Sequence, residues 1–327
     1  MLVKSQKLSP KIFKNNIEML PTRNGYGDGI VALGKADKNV VVLCCDLTES
    51  TRTQTFAKTF PDRFVEVGVA EQNMTGIAVG MALEGKIPFT TSYAVFSPGR
   101  SWDQIRVSVC YNTANVKTVG AHAGISVGPD GATHQALEDI ALMRVLPRMT
   151  VVVPSDYHET LKATVAAGKN TGPYYIRIAR HETPVFTTPQ TPFKVGRAEI
   201  LWKSKQPVVG IIGCGPLLYE ALLAARELGK HGIGSLVVNN HTLKPLDGKT
   251  LMSVAKQVKG LVTIEEHQVT GGLFGAVSEF FSQHHPMKIQ PVAVMDRFGE
   301  SGEPSELLDA CGLLARDVIA AAKKALG

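Results

Sequence analysis

The segment FVEVGVAEQNMTGIAVG, residues 64–80, places the carboxyl group of Glu71 among apolar and small side chains. Burial in such surroundings disfavours the charged form of a carboxylic acid and raises its pKa. A carboxyl group held near neutrality can give and take a proton, which is the chemistry of a general acid–base catalyst. The alternative is a partly solvated glutamate that begins a helix and is stabilised by the helix dipole.

Other polar side chains follow predicted strands, at the positions where open α/β sheets bind ligands. They lie in the segments PTR (21–23), CDLTES (45–50), SYAVF (92–96), GAHAGISVGPDGATHQALED (120–139) and IRIAR (176–180). Two histidines, His122 and His134, bracket the glycine-rich part of the fourth segment. Metal ligation is one role for these histidines, but no third His, Cys or acidic residue stands at ligand spacing. Capping and turn roles are the stronger structural alternative.

The elements that must position these residues are short apolar runs that alternate with helical patterns. The runs predicted as strands are 38–47, 86–96, 115–122, 149–156 and 173–179. Such alternation is typical of βαβ units and a parallel sheet. Continuous apolar runs fit strands that are buried on both faces of the sheet. The sequence therefore predicts an α/β fold, with two doubly wound domains.

A proline-rich segment, HETPVFTTPQTPFKVG, interrupts this alternation and predicts an interdomain linker. A second set of strand and helix patterns follows it. The predicted division is an N-terminal arm over 1–20, a first domain over 21–180, the linker over 181–194 and a smaller second domain over 195–327.

The composition excludes several classes of function. Lysine and arginine total 35 against 29 acidic residues, but the basic residues are scattered and do not alternate with aromatic residues. This pattern does not indicate a nucleic-acid-binding protein. The five cysteines show no C-x-x-C spacing, which favours a reducing compartment. Because we find no signal-peptide pattern and no apolar stretch of membrane-spanning length, we expect a cytoplasmic protein without membrane contact.

A family resemblance gives these patterns a more specific interpretation. Residues of about 20–190 resemble the pyrimidine-binding domain of transketolase, and the second domain resembles the C-terminal domain of that family. The run GVAEQNM resembles the segment that holds the essential glutamate of the family. The resemblance implies that Glu71 hydrogen-bonds N1′ of the aminopyrimidine of thiamine diphosphate and controls its tautomer. It also implies transfer of a two-carbon ketol unit from a ketose phosphate, such as xylulose 5-phosphate, to an aldose phosphate.

The resemblance also implies which residues contact the cofactor. Tyr93 and Phe96 match aromatic positions that stack on the pyrimidine ring, although packing in the core is an equal alternative for each. Asp46 matches an aspartate near the cofactor. A third aromatic residue of the family is missing here, since Gly99 lies nearest to its position. Trp102 is the candidate to replace it.

Transketolases hold the sugar phosphate with two arginines, a serine and a histidine. The matching positions in this chain are Arg23, Ser50, His122 and Arg180. A dianionic phosphate suits guanidinium donors together with shorter neutral donors. Asp130 and His134 resemble residues that contact the sugar hydroxyls and the reaction intermediate, so the resemblance implies a catalytic role for His134.

The diphosphate and metal site is not expected on this chain. GYGDG (25–29) resembles a motif of thiamine diphosphate enzymes, but no Asn-Asn pair follows it, and we interpret it as a loop before a helix. The resemblance implies a split transketolase, in which a separate N-terminal subunit holds the diphosphate and a divalent metal, Mg²⁺ or Ca²⁺. We expect a heterotetramer that contains a dimer of this chain, and no activity from this chain alone.

Two other thiamine-dependent classes stay open as alternatives. 1-Deoxyxylulose-5-phosphate synthase shares the GxDGxTHQ run, but its sequence resembles a D-R-A-G run at the position where this chain has AHAG. The β-type subunit of oxo-acid dehydrogenases has a similar two-domain size, but the runs THQ and DLTES fit it poorly. A non-catalytic paralogue is a third alternative, although a binding module has no use for a tautomer-controlling acid.

Overall fold

The computed structural model describes residues 1–327. The strands are β1 (Met19–Pro21), β2 (Val40–Cys44), β3 (Phe64–Glu66), β4 (Ile87–Tyr93), β5 (Lys117–Ala121), β6 (Thr150–Val152), β7 (Tyr174–Arg177), β8 (Glu182–Pro184), β9 (Glu199–Lys203), β10 (Val209–Gly213), β11 (Ser235–Asn239), β12 (Thr242–Lys244), β13 (Gly260–Gln268) and β14 (Ile289–Val294). The helices are α1 (Thr22–Ala36), α2 (Gln54–Thr59), α3 (Glu71–Leu83), α4 (Trp102–Gln104), α5 (Asp139–Arg144), α6 (Tyr157–Lys169), α7 (Leu218–Lys230), α8 (Gly248–Ala255), α9 (Leu273–His284), α10 (Pro304–Ala310) and α11 (Ala315–Leu326). A π-helix over Ile105–Tyr111 continues α4 directly.

The first sheet has seven strands in the order β12-β6-β7-β5-β4-β2-β3. The six strands from the first half of the chain are parallel, and every residue of β2, β5 and β7 is buried. This burial explains their continuous apolar runs, because helices cover both faces of a parallel sheet. The edge strand β12 is antiparallel and comes from the second half of the chain. The short strands β3, β9 and β12 were not predicted.

The second sheet has five strands in the order β14-β13-β10-β11-β9. Four of them are parallel, and only β9 at the edge is antiparallel. Apolar residues of α7 and α11 pack against this sheet in one buried cluster. The two sheets and their helices confirm the predicted α/β fold. No helix combines the length and the apolar character that crossing a lipid bilayer would require.

The prediction of a loop for GYGDG was wrong, because these residues lie inside α1. The glycines are explained by helix packing. A Cβ atom at Gly25 would come within 2.2 Å of the carbonyl oxygen of Tyr157, and one at Gly29 within 3.1 Å of that of Leu161. Both carbonyls belong to α6. The small residues therefore let the backbones of α1 and α6 approach closely, which no pattern in α1 alone reveals.

The segment predicted as a linker is fixed to the rest of the molecule. Its strand β8 pairs with β1, and the carboxylate of Asp156 accepts backbone hydrogen bonds from Phe186 at 2.9 Å and Thr187 at 2.6 Å. The N-terminal arm lies against the second sheet, where the N–H of Val3 donates to the carbonyl of Leu201 at 2.9 Å. The two halves of the chain are therefore joined by ordered backbone contacts.

Candidate active site

Several of the residues singled out in the sequence lie at one edge of the first sheet. Tyr93 ends β4, His122 follows β5, Arg180 follows β7 by three residues, and Glu71 begins α3 after the edge strand β3. All these strands run in the same direction. Their carboxyl ends therefore form one crevice, which is where open α/β sheets bind ligands.

Glu71 is 3% exposed and lies at the first position of α3. Nη1 of Arg100 lies 3.3 Å from each of its carboxylate oxygens, and the hydroxyl of Ser92 lies 3.5 Å from Oε1. The expectation of a purely apolar surround was therefore wrong. A guanidinium 29 residues further along the chain faces the carboxyl group, and no local sequence pattern predicts this contact.

An aromatic cluster lies beside this ion pair. The ring of Tyr93 stacks on His122 with centroids 3.9 Å apart, and on Phe96 at 5.8 Å. His134 meets Phe96 edge-on at 5.4 Å. The guanidinium carbon of Arg100 lies 4.2 Å from the centroid of Phe96. The structure therefore brings together five of the predicted residues, Glu71 among them, and adds Arg100, which pairs with Glu71 and stacks on Phe96.

Trp102 does not replace the missing third aromatic residue. Its indole N–H donates to the carbonyl of Leu142 at 2.9 Å, and its ring packs against the buried core instead of joining the aromatic cluster. No side chain fits at Gly99, because a Cβ atom there would come within 2.0 Å of the carbonyl oxygen of Val95. The guanidinium of Arg100 is the planar group that lies over Phe96 in this structure.

Two of the four predicted phosphate residues, Arg23 and Arg180, line a cavity of about 330 Å³, whereas Ser50 and His122 are not part of its lining. Nη1 of Arg23 donates to the backbone carbonyl of Ser50 at 2.8 Å, so Ser50 contacts this arginine through its main chain. Arg180 donates to the carbonyl of Val127 at 2.5 Å and lies 3.8 Å from Asp130. The cavity also contains Arg52, which the sequence analysis did not select.

Asp46 belongs neither to the aromatic cluster nor to the lining of the arginine-containing cavity. It is exposed after β2, and its side chain makes no hydrogen bond or ion pair. Its backbone N–H donates to Oε1 of Glu66 at 2.6 Å, and that oxygen also accepts the N–H of Gly68 at 3.0 Å. Glu66, rather than Asp46, organises this turn.

Residues from the second half of the chain contact the glycine-rich loop after β5 and fix its position. Oε1 of Glu266, in β13, accepts the backbone N–H of Ser126 at 2.6 Å. A Cβ atom at Gly124 would come within 2.3 Å of the same oxygen, so this close approach requires glycine. Nε2 of Gln135 donates to the carbonyl of Glu300 at 2.9 Å. Residues from the second half thus fix the loop that presents His122 and His134.

His122 is buried, and burial is the main reason that its pKa falls to about 3, with Arg23 and Arg180 adding to the effect. The imidazole is therefore neutral at physiological pH. A neutral imidazole offers one N–H donor and one acceptor nitrogen. Nδ1 of His122 has no hydrogen-bond partner within the protein. This buried nitrogen is available to a ligand as a neutral hydrogen-bonding group.

The low pKa of His122 predicts a dependence of stability on pH. Between about pH 6.5 and 3 the unfolded chain binds a proton that the folded chain excludes, so stability falls as the pH falls. Replacing His122 with Phe keeps an aromatic ring at this position and removes the group that binds the proton in the unfolded chain. From pH 7 to pH 5, the wild-type chain should lose up to about 2 kcal/mol more unfolding free energy than His122→Phe. Urea unfolding at both pH values measures this difference.

The matched control for this experiment is His285→Phe, because His285 is exposed on the surface. Its loss of stability between pH 7 and pH 5 should equal that of the wild-type chain. If His122→Phe and the wild-type chain lost stability equally, His122 would not be held neutral by burial.

The chain matches two family models. The model for the transketolase pyrimidine-binding domain matches residues 18–185, and the model for the transketolase C-terminal domain matches residues 196–318. Among curated proteins, a transketolase C-terminal section of Methanocaldococcus jannaschii is 42% identical over 89% of this chain and 92% of that protein. A 6-deoxy-6-sulfo-D-fructose transketolase subunit of Clostridium sp. is 37% identical over 95% and 96%.

Human transketolase is 39% identical over 94% of this chain, which spans 49% of the length of the human protein. A solved split-gene transketolase, described as an inactive β4 tetramer, superposes with a TM-score of 0.87. It is 45% identical, and the match covers 94% of this chain and 98% of the other. The chain therefore belongs to the transketolase family and carries its pyrimidine-binding and C-terminal domains.

Proposed function

We propose that this chain is the C-terminal subunit of a split transketolase, which transfers a two-carbon ketol unit from a ketose phosphate to an aldose phosphate. The observation that carries the proposal is the crevice at the first sheet. A buried carboxyl group, Glu71, lies there beside aromatic rings, and the carboxyl ends of the same sheet also supply the arginine-lined cavity. The carboxyl group and the aromatic rings suit a cofactor heterocycle, and the arginine-lined cavity suits the anionic end of a sugar phosphate.

The residues of the crevice fit the aminopyrimidine of thiamine diphosphate. Such a ring needs an aromatic wall and a carboxyl group at a ring nitrogen; Tyr93, Phe96 and Glu71 would supply these. The burial of Glu71 and the stacking of the two rings support this fit. When bound, thiamine diphosphate supplies the electron sink for cleavage of the carbon–carbon bond. The task of Glu71 is to hold a proton between its carboxylate and the ring nitrogen.

The remaining residues would act on the sugar. Arg23 and Arg180 bind the phosphate by charge-assisted hydrogen bonds, and the neutral His122 adds a donor without adding charge. Asp130 and His134 would contact the sugar hydroxyls; in support, the ring of His134 meets that of Phe96 edge-on. In this arrangement the arginines fix one end of the substrate and so position its carbonyl group.

We infer that an N-terminal diphosphate-binding subunit completes the enzyme and holds the divalent metal. Two likenesses support this inference. The C-terminal section of Methanocaldococcus jannaschii is similar over nearly its whole length, and the solved β4 tetramer of a split-gene transketolase is described as inactive. In the complete enzyme we expect a dimer of this chain within a heterotetramer.

The isolated chain should show no ketol transfer from xylulose 5-phosphate to ribose 5-phosphate, because in this proposal the N-terminal subunit binds the diphosphate end of the cofactor. Mixing it with an N-terminal transketolase subunit, thiamine diphosphate and Mg²⁺ should restore turnover. A coupled assay of glyceraldehyde 3-phosphate release measures both states. Ketol transfer by the isolated chain would contradict the split-subunit proposal.

A donor screen on the reconstituted pair tests the reaction class. A transketolase uses xylulose 5-phosphate, whereas a 1-deoxyxylulose-5-phosphate synthase or an oxo-acid dehydrogenase component uses pyruvate. Turnover with pyruvate and none with xylulose 5-phosphate would replace the proposed function by one of these alternatives. Binding of thiamine diphosphate without turnover of either donor would favour a non-catalytic paralogue.

A further inference from the structure

The cavity that contains Arg23 and Arg180 has a third arginine, Arg52, in its wall. Arg52 belongs to the loop between β2 and α2, and its backbone adopts a left-handed conformation with φ of 65°. A Cβ atom at Gly27 would come within 2.7 Å of the carbonyl oxygen of Arg52. A glycine in α1 therefore gives this loop the space to lie against the helix.

The side chain of Arg52 is anchored at one point only. Its Nε donates to Oδ1 of Asn24 at 3.0 Å, and Asn24 also lines the cavity. The terminal nitrogens Nη1 and Nη2 have no hydrogen bond or ion pair within the protein. The anchor thus fixes the direction of the guanidinium and leaves its two terminal amino groups available to a ligand.

The charges around the cavity do not balance. Its guanidinium groups belong to Arg23, Arg52 and Arg180, and its only lining carboxylate is that of the exposed Glu182. Asp130 reaches Arg180 alone, at 3.8 Å. The pKa of Arg23 is lowered to about 10, mainly by burial and further by repulsion from Arg52 and Arg180. An anion of high charge would relieve this repulsion.

We propose that Arg52 is a third guanidinium of the anion site and that it selects a dianionic phosphate over a monoanionic sulfonate at the end of the substrate. The inference rests on the proposed function, which it deepens by naming the charge of the substrate. A phosphate monoester carries a charge of about −1.5 to −2 at pH 7. A sulfonate has similar tetrahedral geometry but a single charge, so it gains less from a third cation.

The distinction matters because one relative, from Clostridium sp., is named as a 6-deoxy-6-sulfo-D-fructose transketolase subunit. A phosphate and a sulfonate present three terminal oxygens in the same geometry. Shape therefore separates them poorly, and the number of cations around the anion is the physical quantity that can. Arg52 is placed to supply that additional positive charge.

The test measures binding to the full chain without turnover. Phosphorus NMR titration gives the dissociation constant Kd of ribose 5-phosphate, and competition gives that of its sulfonate analogue, 5-deoxy-5-sulforibose, which lacks the bridging oxygen. Replacing Arg52 with Gln should weaken ribose 5-phosphate binding by about 10-fold or more, since a charged hydrogen-bond donor is lost. Binding of the sulfonate should weaken by less than about threefold. Arg52→Lys should restore part of the preference for the phosphate over the sulfonate.

Lys58→Gln is the matched control, because it removes one positive charge at an exposed position of the neighbouring helix α2. Its dissociation constants should equal those of the wild-type chain. Equal weakening of both ligands by Arg52→Gln would overturn the selectivity and leave only a structural role. No binding of ribose 5-phosphate to the wild-type chain would overturn the anion site. Failure of ketol transfer, by contrast, would count against the proposed function and leave these binding results unchanged.

Discussion

Replacing Glu71 with Gln should lower the kcat of the reconstituted enzyme by about 10²–10⁴-fold, the range that general acid–base groups contribute. Glutamine can still form a hydrogen bond to a ring nitrogen, but it cannot share a proton with it. Its amide also removes the negative charge that faces Arg100 at 3.3 Å. Turnover of xylulose 5-phosphate with saturating thiamine diphosphate measures this loss directly.

The fold should survive this substitution. Arg100 is half exposed, so its guanidinium can turn to solvent when the carboxylate is lost. The unfolding midpoint Tm of Glu71→Gln should therefore stay close to that of the wild-type chain. Glu84→Gln is the control, because it changes the same charge at the exposed opposite end of α3. A Glu71→Gln enzyme that kept most of its turnover would remove Glu71 from the catalytic role.

Replacing Asp139 with Ala should lower the free energy of unfolding by about 3–5 kcal/mol, because it leaves a buried guanidinium without its counter-ion. Oδ2 of Asp139 lies 2.8 Å from Nε of Arg177 and accepts the hydroxyl of Tyr175 at 2.6 Å. Burial opposes the charge on Arg177, but the charge and hydrogen bond of Asp139, together with Glu266 and Tyr175, raise the pKa of Arg177 overall. The guanidinium also donates to the carbonyls of Ala136 and Glu266.

The contact with Glu266 makes this ion pair a link between the two halves of the chain. Thermal unfolding at fixed protein concentration, followed by circular dichroism, should show a large fall in Tm for Asp139→Ala. The double variant Asp139→Leu with Arg177→Met should recover much of it, since no unpaired charge is left buried. Lys230→Ala breaks the exposed pair with Glu227 and should leave Tm nearly unchanged. If Asp139→Ala were as mild as Lys230→Ala, the buried pair would contribute little.

The α/β class, the main parallel strands and the sheet edge at which most site residues lie could be predicted from the sequence alone. This prediction was possible because a parallel strand that is buried on both faces consists of an unbroken run of apolar residues. The residue after such a run then lies at the ligand-binding end of the sheet by geometry alone. Tyr93 and His122 were accessible to this reasoning because each stands at the end of its strand.

The residues that surround these groups could be identified only from the three-dimensional packing of the chain. Arg100 reaches Glu71 from 29 positions away, and Glu266 reaches Ser126 from 140 positions away. Neither contact leaves a periodic pattern, since each depends on how separate elements pack. The same holds for Gly25, whose reason lies in α6, and for Arg52, whose loop rests against α1. Local sequence specifies the strand ends, whereas side-chain contacts across the fold specify the charge and hydrogen bonding of the site.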